Sequence, residues 1–217
     1  MRHWPTLMLS LSKHEGVENA MSARDRKITP ADILSDAEYA ARRSELRAGL
    51  IAVKQNRRME VGPFATFYFE NYDTMWLQVM EMLRIEKGGP TQAAGELETY
   101  NPLIPQGAEL IATLMLEIED AAVRDRTLVT LGGIEETVVL EIGADRIKAA
   151  PTEYEDRTTP EGKTSSVHGL RFSLTPDQIA RFKSGGERIV LSIGHPNYGH
   201  LAVMTDAVRT ALARDFA

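Results

Sequence analysis

Histidine is the side chain that changes charge near neutrality and a common ligand for iron, manganese or zinc, so chemistry is sought first around His168, His195 and His200. His168 alternates in phase with Leu170, Phe172 and Leu174, while Arg171 lies on the other face, so its ring is expected to point inward. There it is either a hydrogen-bonded core residue or a metal ligand. His195 and His200 bracket the turn His195-Pro196-Asn197-Tyr198-Gly199-His200, whose spacing matches no zinc motif, and the helical His-Glu-x-x-His pattern is missing. Winding residues 73–87 at about 100° per residue puts Glu86 on the arc of Met75, Trp76, Val79, Met82 and Leu83. A carboxylate aimed at apolar surface requires a cation, a metal or a proton. Two arrangements are open: Glu86 pairs with a basic side chain, or it converges with His168 and His195 on a divalent Fe, Mn or Zn ion. An open position on such an ion would activate water or dioxygen, with Arg171 or Tyr198 beside a small anionic substrate. Glu81 falls on the polar side with Thr74, Gln78 and Arg84, and needs explanation only if that side is also covered.

Composition narrows the classes. The chain has 217 residues, with 25 Lys+Arg against 31 Asp+Glu and a net charge of −6, and 43% of it is hydrophobic. That suits one large globular domain or two small ones and excludes collagen, coiled coil and wholesale disorder. The acidic balance argues against a nucleic-acid partner. With no cysteine, thiolate nucleophiles, disulfides and Cys-held iron–sulfur clusters are all excluded. Phosphate-binding glycine loops and the Gly-x-Ser-x-Gly elbow are missing as well.

The elements that must position these residues are legible in caps and periods. Thr29-Pro30-Ala31-Asp32 opens a short helix, and Ser35 with Glu38 forms a capping box for a long one over 36–56, with Lys54, Arg57 and Arg58 at its basic end. A strand over 65–69, a helix to Lys87 and a lesser helix over 91–99 follow. From Leu110 the period becomes 2, giving a strand with one apolar face. Asp120 caps a helix ending at Gly132-Gly133, and strands are expected over 135–142, 167–174, 187–193 and 201–204. A polar loop or lid occupies 151–166, and helices start at Thr175 and at Thr205 or Asp206. The expected class is α+β, with N-terminal helices packed on a mainly antiparallel sheet formed largely by the second half.

From Ile28 onward the chain resembles an uncharacterised bacterial family, the domain of unknown function three-five-zero-one. The resemblance lies in Val61-Gly62-Pro63, Thr66-Phe67-Tyr68-Phe69-Glu70-Asn71, Asp73-Thr74-Met75-Trp76, Tyr100-Asn101-Pro102-Leu103-Ile104-Pro105, Lys163-Thr164-Ser165-Ser166-Val167-His168 and His195-Pro196-Asn197-Tyr198. It carries over no catalytic residues. Because such proteins are often encoded near rubrerythrin-like and iron–sulfur proteins, it implies a role in peroxide defence or redox metabolism, acting through partners of those kinds. Residues 1–20 lie outside the resemblance. Leu7 to Glu15 are similar to a mistranslated intergenic repeat, which makes Met21 the expected start and residues 21–217 the single domain. Pro5 and two serines interrupt a short apolar stretch, so neither a signal peptide nor a membrane span is expected, and the location is read as cytoplasmic. A chain beginning at Met21 should melt within a few degrees of the full chain, since a segment without periodicity adds little burial. A larger drop in thermal melting would show that residues 1–20 pack on the core.

Overall fold

The computed structural model describes residues 26–152, 157–160 and 162–217. The expected extension over 1–20 lies outside them, as do residues 153–156 and 161 of the polar loop.

Helix starts follow their capping side chains. In α1 (Asp36–Gln55) the Ser35 amide donates to Glu38 at 3.0 Å while the Ser35 hydroxyl accepts from the Glu38 amide. Asn71 does the same for α2 (Tyr72–Glu86), and Asp120 caps α4 (Ala121–Val129) after α3 (Gly89–Tyr100). Thr175 and Thr205 cap α5 (Pro176–Ser184) and α6 (Asp206–Leu212).

The strands, mostly in the second half, are β1 (Arg58–Val61), β2 (Ala65–Phe69), β3 (Glu109–Leu116), β4 (Val138–Ile142), β5 (Asp145–Lys148), β6 (Ala150–Pro151), β7 (Val167–Ser173), β8 (Ile189–His195) and β9 (Tyr198–Val203). They form two antiparallel sheets, ordered β1-β2-β3-β7-β6 and β5-β4-β8-β9. The fold is therefore α+β with antiparallel sheets. Phe67, Phe69, Leu114 and Phe172 of one sheet and Leu140, Leu191 and Ile193 of the other share a single core. A second cluster of Ile28, Met75, Val79 and Ile104 lies under α2. The long helix α1 packs chiefly against α2 and buries only Tyr39 and Leu50.

Several boundaries differ from the sequence reading: the helix capped by Asp120 stops at Val129, the last strand starts at Tyr198 rather than Leu201, and two other differences place charged residues. Arg57 and Arg58 do not end the long helix. Asn56 ends it, and Arg58 begins β1, whose four residues are too few for alternation to stand out. The segment expected as a strand from Glu135 starts instead as a 3-10 turn, Ile134–Thr137, which turns Glu135 into the protein.

One buried hydroxyl clasps the two sheets. Tyr198, at the start of β9, accepts hydrogen bonds from the amides of Phe64 (2.8 Å) and Ala65 (2.9 Å) and donates to the Val61 carbonyl (2.8 Å). Its donor and both lone pairs are then used. The β1–β2 turn that it grips needs glycine. Gly62 has φ +75°, and a Cβ there would lie 2.6 Å from the His200 ring. Tyr198→Phe would leave three backbone groups at this corner without that partner, so the free energy of unfolding should fall by about 2–4 kcal/mol. Urea unfolding measures it, and a change below about 0.5 kcal/mol would show that the clasp carries no stability.

Candidate functional site

The residues expected to hold a metal do not converge. Glu86 has the helical phase expected of it, but burial along that face fades from Val79 through half-buried Leu83 to exposed Glu86. The last turn of α2 overshoots the core, and Glu86 accepts a 3.1 Å bond from Gln92 at the surface. His195 is buried, with Nε2 3.2 Å from the Gly132 carbonyl and Nδ1 accepting from the Asn197 amide. His168 points inward as its phase requires and is 1% exposed. Among the described residues no group of three or more His, Asp or Glu side chains is placed to hold an ion. Arg171 donates to Glu109 (3.1 Å) and to the Pro102 carbonyl (3.0 Å), fastening the 3-10 turn Asn101–Leu103 to the sheet. Tyr198 is taken up by the clasp described above.

Glu81 is the polar-side residue whose side is covered. Tyr39 of α1 donates to it at 2.5 Å, and Arg43 grips both carboxylate oxygens, Nε at 2.7 Å and Nη2 at 2.8 Å. The Arg43 bond, helped by Tyr39, pulls the Glu81 carboxyl down to about 2. Burial, reinforced by the bond to Glu81, pushes the Tyr39 phenol well above its ordinary range.

The feature that the sequence did not foreshadow is a cleft of about 570 Å³ between the end of α1, the start of α2 and the 3-10 turn Ala213–Asp215. Arg26, Arg57, Arg214, Asn56, Asp73 and Asp215 line it. Arg57 is 4% exposed and uses four of its five N–H groups: it grips Asp215 at 2.5 and 3.1 Å and donates to the carbonyls of Phe69 and Glu70, each at 2.9 Å. Burial raises the Asp215 carboxyl and the Arg57 contact opposes that rise. Arg26 donates to the carbonyls of Pro105 and Asp215. Asp73 stands exposed at the cleft, yet desolvation by the surrounding protein pushes its carboxyl upward against the pull of Arg57. Arg214 is exposed and has no hydrogen-bond or ion-pair partner among the described residues. The two members of the Arg57–Asp215 pair stand 158 positions apart, and no local pattern relates them.

The family described as Protein of unknown function (DUF3501) matches residues 27–216. The chain belongs to this family. It is similar to a crystal structure of a protein of unknown function from Burkholderia pseudomallei K96243, with 34% identity, a TM-score of 0.81, and coverage of 88% of this chain and 100% of that one. No curated protein matches it. The strings that mark this DUF3501 chain largely hold backbone in place. Asn101 bonds both the amide (2.7 Å) and the carbonyl (2.9 Å) of Ile28, and the Trp76 indole donates to the Asp32 carbonyl at 2.8 Å. Asn197 donates to the Thr130 carbonyl at 2.9 Å.

The sign of the Glu81 shift fixes a pH dependence. Its folded value of about 2 lies below the ordinary 4.5, so its stabilisation is complete above 4.5 and is lost as pH falls toward 2. Glu81→Gln should cost on the order of 1–2 kcal/mol at neutral pH and much less near pH 2, as read by urea unfolding at both pH values. An equal cost at both would assign the loss to packing rather than charge.

Proposed function

We propose that this DUF3501 protein is a cytoplasmic accessory protein of a redox or peroxide-stress system, and that an acidic segment of its protein partner docks in the arginine-lined cleft. The observation that carries the reading is a cation left over at a concave surface of an acidic chain, where three arginines stand against two aspartates and Arg57 is paired with Asp215. The net charge is −6, yet Arg26, Arg57 and Arg214 meet at one concave surface, and Arg214 there has no partner among the described residues. A guanidinium offers planar, paired donors that suit a carboxylate, and a cationic cleft on an acidic body orients an acidic partner as it approaches.

Family membership supports the redox setting through the rubrerythrin-like and iron–sulfur partners that the resemblance implies. The chain has no cysteine to hold a cluster, so cluster chemistry falls to the partner. Among the described residues no helix is long and apolar enough to cross a membrane, which is compatible with a cytoplasmic place of action.

Pull-down from peroxide-stressed cells should recover a rubrerythrin-like or iron–sulfur protein at low salt. Charge reversal at the rim, Arg214→Glu, should reduce that recovery by about tenfold or more while leaving thermal melting unchanged. Recovery indifferent to the reversal would remove the cleft from the proposal. No such partner, together with a deletion strain as viable as its parent under peroxide, would remove the function itself.

A further inference from the structure

Among the described residues the two sheets end in four edge strands, and three of these carry the usual protection against pairing with another chain. β1 holds Arg58 and Glu60, β5 holds Asp145, Arg146 and Lys148, and β6 is two residues long and ends in Pro151. β9 reads Tyr198-Gly199-His200-Leu201-Ala202-Val203, with no Lys, Arg, Asp, Glu or Pro. Its Leu201 is 65% exposed and its Val203 51%. The ladder with β8 shows which backbone groups of β9 are free. The Met204 amide donates to the Ile189 carbonyl, and the register sets Leu191 against Ala202, Ile193 against His200 and His195 against Tyr198. Bonding alternates along an antiparallel ladder, so these pairs bond within the sheet, while Gly199, Leu201 and Val203 turn their amides and carbonyls off its edge. Those groups have no other hydrogen-bond partner among the described residues. The same three positions share the outer face, since Leu201 stands opposite Ser192 while Leu191 and Ile193 face the core. On that face Leu201 and Val203 are apolar knobs. Gly199 is a gap, beside an open hollow of about 430 Å³ that Glu141, Arg146 and Ser192 also line.

We propose that β9 is a dimerisation edge, which pairs antiparallel with β9 of a second copy of this chain about a two-fold axis at Leu201. Setting Leu201 against its own counterpart puts Gly199 of each copy against Val203 of the other. All three positions have outward backbone groups, so each residue donates once and accepts once across the axis, about six bonds in all. A shift by one residue would set free groups against groups already used, and a shift by two would leave one residue of each copy unpaired. Shape agrees with this register, because Val203 of one copy meets the hollow at Gly199 of the other, where no side chain opposes it. No charged residue on the strand meets its own image at the axis. The edge is thus its own complement in hydrogen bonds and in shape, which singles out a second copy as the occupant. Tyr198 and His200 point their rings the other way, to the β1–β2 turn, so the clasp and the edge use different atoms of one strand.

The test is sedimentation of the full chain together with cross-linking at the axis. Between about 1 and 500 µM the mass should rise about twofold, the reversible association expected of an interface smaller than an obligate one. Leu201→Lys sets two ammonium groups face to face and should weaken association by about tenfold or more, with melting at the lowest concentration unchanged. Because the chain has no cysteine, Leu201→Cys introduces a single thiol. The α-carbons of the two copies would stand about 5.5 Å apart there, within reach of a disulfide. Mild oxidation should cross-link this variant about tenfold faster than Ile85→Cys, whose parent side chain on α2 is also 65% exposed. A chain monomeric throughout, association indifferent to Leu201→Lys, or cross-linking of Leu201→Cys no faster than that of Ile85→Cys would each overturn the proposal. If Leu201→Lys does not fold, sedimentation of the parent and the cross-linking rates decide.

Discussion

The guanidinium of Arg57 is the point at which the helical part of this protein is joined to its sheets. It sits between the end of α1 and the start of β1, bonds the carbonyls of Phe69 and Glu70 just before α2, and grips Asp215 beside the C-terminus. Since α1 buries little of itself, its direction depends on this junction and on the Tyr39–Arg43–Glu81 contact with α2. Breaking a buried pair by removing one partner typically costs roughly 3–5 kcal/mol, because the remaining charge is left dry. The same constraint shapes the cleft, because the group that ties the elements together also forms part of its wall.

A second constraint runs through the whole molecule: polar atoms taken out of water must find partners. Tyr198, Asn101, Trp76 and His195 each meet it by bonding backbone at a turn or strand end. Tyr198 and His195 look chemical in the sequence and prove to be fastenings. At Glu135 and His168 the rule is not met: Oε2 and Nδ1 face each other at 3.6 Å, and neither has a hydrogen-bond partner among the described residues. The sheets are otherwise closed by apolar packing, with Phe67, Leu114, Leu140 and Leu191 fully buried between them.

Charge is distributed unevenly between core and cleft. Surface pairs such as Arg146–Glu141 and Lys148–Glu136 are exposed and contribute little to stability. Arg214 differs in standing at a concavity with no partner among the described residues, beside an Asp73 whose ionisation is already disfavoured. The proposed acidic partner would meet that uncompensated cation.

The sequence by itself determined the local elements. Capping boxes at Ser35 and Thr175, the alternation from Leu110 onward and the inward phase of His168 all act over a few residues, where the chain's own geometry dictates the outcome. It also determined what chemistry is excluded, because the absence of cysteine is independent of folding. Tertiary structure alone decided which faces are covered. Helical phase put Glu86 on the right arc, but only the position of the neighbouring elements reveals that the arc ends before it. The same phase put Glu81 on the polar side, and only the docking of α1 makes that side an interface. The meetings of Arg57 with Asp215 and of His168 with Glu135 join segments far apart in the chain. Burial and ion pairing depend on distance in space, which no periodicity along the chain encodes.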